Sequence, residues 1–179
     1  MDGIRNNGIH MPGYAEIFGA HDINSVHMDI LYPPVDFSEK RKKEPWRNSN
    51  NNSLVLKASF GSESFLFPGD IKTRAEYELV STAGDKLNST VLLVPHHGSK
   101  TSSSDWFVET VNPAVVIISS RWRSRFGFPH PSVLKRYQKI GCRVLSTARN
   151  GAVSMSTNGR MLTIRPTVTD KKVSLDEHP

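Results

Sequence analysis

Leu54-Val55-Leu56-Lys57-Ala58-Ser59-Phe60-Gly61-Ser62-Glu63-Ser64-Phe65-Leu66-Phe67-Pro68-Gly69-Asp70 is the stretch that decides the fold class. Leu54, Leu56, Ala58 and Phe60 alternate with Val55, Lys57 and Ser59, the period of a half-buried strand. Gly61-Ser62 makes a turn, 64–67 is the returning strand, and Pro68-Gly69-Asp70 ends the hairpin. The period then changes. Ile71, Ala75 and Leu79 recur every four residues, which predicts a helix over 71–82 closed near Gly84. Working outward, short apolar runs predict buried strands over 90–94 and 114–119. Ser102 followed by Asp105 gives a capping-box-like start to a helix ending at Val111. Pro131 suits the first turn of another helix, with Val133, Leu134, Tyr137 and Ile140 as its apolar stripe and Gly141 as its exit. Closing strands are expected over 142–146, 152–156 and 161–165, with Asn150-Gly151 and Asn158-Gly159 as hairpin turns. On the other side, 26–32 reads as a strand closed by Pro33-Pro34, 36–47 as a charged loop, 48–52 as a polar run outside any core, and 1–25 shows no sustained period. Strands alternating with helices and flanked by hairpins predict an α/β layered domain with a mixed sheet.

Composition narrows the function. The chain has 179 residues, 37% of them apolar, enough for one packed core and too many for a disordered tail. Its longest apolar runs, 91–94 and 114–118, fall far short of the roughly 20 residues of a membrane span. The first ten residues carry Asp2 and Arg5 before any apolar stretch, so no secretory signal is expected. A single cysteine, Cys142, excludes an internal disulfide framework and a cysteine zinc cluster. It opens a predicted buried strand and reads as core. Twenty-three Lys and Arg against 17 Asp and Glu give a net charge of +6, which suits an anionic partner but also simple solubility.

Three loops follow a strand and precede a helix, where open α/β sheets bind ligands. They carry Asp70, the pair His96-His97, and His130. Imidazole and carboxylate are the usual ligands of hydrolytic zinc, manganese or iron. Asp70 also reads as the N-cap of the helix that follows, and His130 as a residue opening the next helix. The His96-His97 pair has no such structural purpose. His10, His21 and His27 lack this context and read as surface residues, and His178 falls in the tail. A phosphate loop at Ser99-Lys100-Thr101 fails for want of its glycines, and no Gly-x-Ser-x-Gly elbow surrounds Ser99. Arg121, Arg123 and Arg125, with Trp122 and Phe126 among them, read as phosphate contacts with stacking partners or as a solvated loop.

These residues bring a resemblance into view. Phe65-Leu66-Phe67-Pro68-Gly69-Asp70, Val94-Pro95-His96-His97-Gly98-Ser99 and Gly127-Phe128-Pro129-His130-Pro131, with Asn51-Asn52-Ser53-Leu54-Val55-Leu56 before them, resemble in order and spacing the C-terminal metallo-β-lactamase-like domain of the ComEC family of competence proteins. Thr147-Ala148-Arg149-Asn150-Gly151-Ala152-Val153 resembles its closing hairpin. The resemblance implies a partial metallo-β-lactamase-like α/β/β/α sandwich with mixed sheets over residues 1–166, corresponding to the second half of that domain, and a flexible tail over 167–179. It implies Asp70, His96, His97 and His130 as ligands of a divalent zinc or manganese ion. It gives Asp70 and His97 the catalytic roles, and expects no small-molecule cofactor. It also implies an inner-membrane parent protein whose channel domain is missing from this chain, acting on transforming DNA, expected as a single strand. The family's H-x-H-x-D-H motif does not occur here, and Phe128 stands where many relatives have His. The expectation is therefore a nuclease-type hydrolase domain that is catalytically incomplete. The alternative is a non-enzymatic basic DNA-binding module.

Overall fold

A computed structural model describes residues 12–121 and 124–168. Seven strands form one mixed sheet in chain order. β1 (Gly19–Ile23), β2 (Val26–Tyr32), β3 (Val55–Phe60) and β4 (Glu63–Phe67) are antiparallel neighbours. β5 (Val91–Leu93), β6 (Val115–Ile118) and β7 (Arg143–Ser146) then add in parallel. Three helices cross between the parallel strands: α3 (Thr73–Ala83), α4 (Asp105–Val111) and α5 (Pro131–Lys139). Right-handed crossovers that always step in the same direction lay every helix on one face of the sheet. Ala75, Leu79, Phe107, Val111, Val133 and Tyr137 accordingly share one core with Leu66, Leu92, Val116 and Ile118. The next residues along those strands face the other way. Val91, Val115 and Leu145 meet Val153, Met155, Leu162 and Ile164 of a separate hairpin, β8 (Val153–Thr157) with β9 (Leu162–Pro166). The central parallel strands β5 and β6 are apolar throughout because both faces are covered. The layers are thus helices, main sheet and second sheet, as the expected mixed α/β sandwich requires.

Several sequence expectations are corrected. The charged segment 36–47 holds a helix, α2 (Phe37–Lys43). None of its residues is buried, so it has no apolar stripe. It is supported instead by Lys42–Glu39 and Lys40–Asp36 pairs and by four basic residues in its last turn, which suit the negative end of the helix dipole. The N-terminal segment without a period contains α1 (Tyr14–Ile17) and edge strand β1. An edge strand bonded through its backbone needs no side-chain alternation. α3 begins at Thr73, so Lys72 and not Asp70 is its N-cap. Ser104, not Ser102, caps α4, accepting the Phe107 N–H. Asn150-Gly151 is not a hairpin turn, because α6 (Thr147–Asn150) intervenes and β8 pairs only with β9. Thr167 and Val168 bond back to Ala152 and Asn150. The rest of the expected tail, His10 and His178 lie outside the described residues.

Two polar networks built on acidic side chains join the layers, and burial raises the pKa of the first acid, Glu76. Glu76 of α3 is fully buried and accepts the N–H groups of Ser103 and Ser104 at 2.5 and 2.8 Å. Ser103 is in turn held by the Tyr137 hydroxyl at 2.9 Å, and its carbonyl by Arg136 at 3.0 Å. One carboxylate thereby fixes the turn before α4 and links it to α5. Arg47 is buried and its Nη2 donates to both Glu78 carboxylate oxygens at 2.6 and 2.7 Å, with the Tyr32 hydroxyl bonded to both side chains. Burial opposes ionisation of Glu78. The Arg47 and Tyr32 hydrogen bonds outweigh it and hold the carboxyl below its ordinary 4.5.

Replacing Glu76 by Ala should destabilise the fold by about 3 kcal/mol in urea titration, because two buried N–H groups lose their acceptor. A change under about 1 kcal/mol would show that the turn holds itself. Glu78→Gln should cost about 1–2 kcal/mol at pH 7. A depressed carboxyl contributes stability that is fully present above its unfolded pKa and is lost as pH falls through the folded one. The gap between variant and parent should therefore close on acidification below 4.5. A gap independent of pH would contradict the charge assignment.

Candidate functional site

β4, β5 and β6 run in parallel, so their C-terminal ends meet at one edge of the sheet. Each end opens into a loop that the sequence marked. The loop after β4 is pressed onto the segment before β3. Gly69 has φ +60°, and a Cβ there would stand 2.7 Å from the Ser53 Cβ. The Ser53 hydroxyl accepts the Asp70 N–H at 3.1 Å. The buried Asn51 amide donates to the Trp46 carbonyl at 2.7 Å and accepts the Lys72 N–H at 3.0 Å. The polar run 48–52 thus does more than fill a loop. Asn51 from that run and Ser53 just after it hold the chain at Lys72 and at Asp70, whose carboxylate has no capping duty and lines a cleft of about 500 Å³.

The loop after β5 is a tight turn, Pro95–Gly98, with both histidines in the left-handed region, His96 at φ 50° and His97 at φ 56°. For non-glycine residues that conformation costs about 1–2 kcal/mol each. The surroundings enforce it. His96 N–H donates to the Gly69 carbonyl at 3.1 Å, and the Ser102 hydroxyl donates to the Pro95 carbonyl at 2.9 Å. Gly98 has φ +79°, and a Cβ there would stand 2.8 Å from the Pro129 Cβ. The Gly98 carbonyl accepts the His130 N–H at 2.8 Å, so the third loop is tied to the second.

The two neighbours then do different things. His97 is half exposed, and its Nδ1 lies 2.8 Å from the Ser119 carbonyl. A carbonyl only accepts, so Nδ1 carries the proton and neutral His97 has its lone pair on Nε2. That Nε2 is 3.8 Å from the Asp70 carboxylate. His96 is more enclosed. Its Nδ1 is buried without a hydrogen-bond partner, its Nε2 is 3.4 Å from the Asn50 amide, and its ring meets the Phe128 ring edge-on at 5.9 Å. Burial depresses its pKa, with Asp70 opposing and Lys72 assisting. His130 is the N-cap of α5, and its Nδ1 faces the Ser132 N–H and hydroxyl. Accepting that N–H leaves its proton on Nε2. His130 does not line the cleft. Asp70, His96 and His97 therefore share one cleft while His130 stands beside it. Among the described residues no group of three or more His, Cys, Asp or Glu side chains is arranged to hold a metal ion.

The remaining wall is basic and aromatic. Arg121 is exposed and lines the cleft with Ser119, Ser120 and Ser124. Arg125 lies over the Phe126 ring at 4.8 Å, and Phe126 leans on Phe128 with ring centres 5.7 Å apart. Phe126 is largely exposed. Trp122 and Arg123 lie outside the described residues. Ser119 and Ser120 line the cleft and Asn50 contacts His96 from outside its lining; none of the three was singled out, since their contacts run through backbone or through a common amide. The other candidates behave as bystanders. Cys142 donates to the Tyr137 carbonyl, and burial pushes its thiol up to about 11, far from a reactive thiolate. His27 sits exposed between Asp22 and Asp29, whereas His21 is half-buried and bonded to the Ile17 carbonyl.

No family model matches the chain. Curated proteins do. ComE operon protein 3 of Bacillus subtilis is 34% identical over 114 residues, covering 64% of this chain and 15% of that protein. Competence protein ComA of Neisseria gonorrhoeae is 36% identical over 120 residues, covering 66% and 17%. Recombination protein 2 of Haemophilus influenzae is 40% identical over 111 residues, covering 62% and 14%. The match spans between 14% and 17% of the length of these relatives. Together with the ordered motifs around Asp70, His96, His97 and His130, these matches make the chain a homologue of a segment of the ComEC family of competence proteins.

Proposed function

We propose that this chain is part of the hydrolytic portion of a competence DNA-uptake protein. In this reading Asp70 and His97 supply two donors to a divalent-cation centre, zinc or manganese, that acts on the phosphodiester backbone of a DNA strand. The observation that carries it is the tautomer of His97. A metal-binding imidazole characteristically donates its second ring N–H to a carbonyl or carboxylate, which fixes ring and lone pair together. His97 does this with Ser119 and turns Nε2 toward Asp70. A cation bound there would act as a Lewis acid and supply hydroxide near neutral pH. This chain's residues do the rest. Arg121 neutralises phosphate charge, Arg125 and the Phe126–Phe128 pair offer a stacking surface for a base, and Phe128 and Asn50 shield and orient His96. The His130 side chain caps α5, and its backbone N–H, which any residue there except proline would supply, ties the third loop to Gly98.

Two protein donors are fewer than the three that catalytic zinc sites use, and H-x-H-x-D-H is absent from the sequence. By itself the chain is expected to bind the cation weakly and to turn over little DNA, as part of a protein held in the inner membrane. No helix among the described residues is long and apolar enough to cross a membrane. A second reading, DNA binding without chemistry, is favoured by the exposed Arg125–Phe126–Phe128 stack.

Titration calorimetry with manganese or zinc discriminates between them. Asp70→Asn and His97→Gln should each weaken cation binding by about tenfold or more, whereas His130→Gln should leave it near the parent value. Equal binding by all three variants, or none by the parent chain, would remove the cation centre. DNA binding that is steeply salt-dependent but indifferent to chelator and to Asp70→Asn would then favour the second reading. Robust manganese-dependent cleavage of DNA by the parent chain would overturn the expected incompleteness.

A further inference from the structure

A second cleft, of about 490 Å³, lies directly beside the first, and the two share Ser120, Arg121 and Phe128. Its far wall is made by Gln138 of α5 and by Ser146 and Arg149 around α6. No acidic residue lines it among the described residues, in contrast to the first cleft, which contains Asp70. Arg149 is exposed, and neither Arg149 nor Arg121 forms an ion pair among the described residues. Two guanidinium groups without an ion pair among the described residues thus line one hollow with the Ser120 and Ser146 hydroxyls, over an apolar floor that includes Ile118, Leu134 and Val144. The walls are held to one another by hydroxyl groups. The Thr147 hydroxyl accepts the Ser120 N–H at 3.0 Å and donates to the Ser120 carbonyl at 3.0 Å. The Ser120 and Ser146 hydroxyls meet at 3.3 Å. The turn carrying Arg149 is therefore fixed against the loop carrying Arg121 before any ligand arrives.

We propose that this second cleft is a subsite for a neighbouring phosphate of a single-stranded nucleic acid whose reacting phosphodiester occupies the first cleft. The proposal rests on the reading of the first cleft given above and names its substrate as a strand longer than one nucleotide. Arg121 stands between the two hollows and serves both. Arg149 serves only the outer one. Phe128, in the wall common to both, separates consecutive nucleotides. A flexible single strand suits this arrangement, because adjacent backbone phosphates must turn around that wall and unstacked bases are free to lie on the exposed Phe126.

The test is fluorescence anisotropy with a labelled thymidine dodecamer, set against thymidine monophosphate as competitor. Arg149→Gln should weaken dodecamer binding roughly fivefold and lower the slope of log affinity against log salt by about 0.7. Arg149→Lys should recover part of that loss, and competition by the mononucleotide should not change. Arg160→Gln, in the turn between β8 and β9 at the opposite end of the sheet, should bind like the parent chain. Dodecamer binding and salt slope unaltered by Arg149→Gln would overturn the subsite and leave the cation centre standing. So would a parent chain that does not bind the dodecamer. A loss on Arg149→Gln with cation binding indifferent to Asp70→Asn would leave the subsite and remove the centre.

Discussion

The Glu76 carboxylate is the constraint on which the helical layer and the adjoining loop depend. It lies in the core, where burial raises its pKa, and the Ser103 and Ser104 N–H groups with Arg136 offset only part of that penalty. The turn it holds contains Ser102, whose hydroxyl supports the Pro95 carbonyl and with it the histidine turn. Stability therefore passes from a buried acid on α3, through a serine-rich turn, to the imidazole that faces Asp70.

Much of this architecture is legible in the sequence where a residue's type reports its surroundings. Val133, Leu134, Tyr137 and Ile140 mark a helix because burial selects side chains at the period of the element, whereas the alternation over 54–60 finds the strand but not its faces, since Val55 is the buried residue and Leu54 is exposed. α2 is hidden because it buries nothing, and β1 because an edge strand is specified by the backbone of its neighbour. The cap reading of Asp70 fails for a local reason. Ile71 is buried as the fourfold spacing implies, yet the chain stays extended through Lys72 before turning helical.

The site divides the same way. Asp70, His96 and His97 were visible because such side chains on loops leaving apolar strands lack a packing purpose. The different duties of the two histidines were not visible. They depend on a carbonyl at Ser119 and an amide at Asn50, far away in sequence, and a main-chain carbonyl leaves no mark on residue type. Arg121 and Arg125 were visible as charge. Their separation into a residue common to two hollows and a residue stacked on Phe126 needed the fold.

The left-handed backbone at His96 and His97 bears on how the protein responds to selection. Glycine or asparagine would adopt those angles more readily than histidine. A population of variants chosen only for heat resistance would therefore drift away from imidazole at both positions, and one chosen for chemistry at the sheet edge would be kept from the most durable version of its own turn.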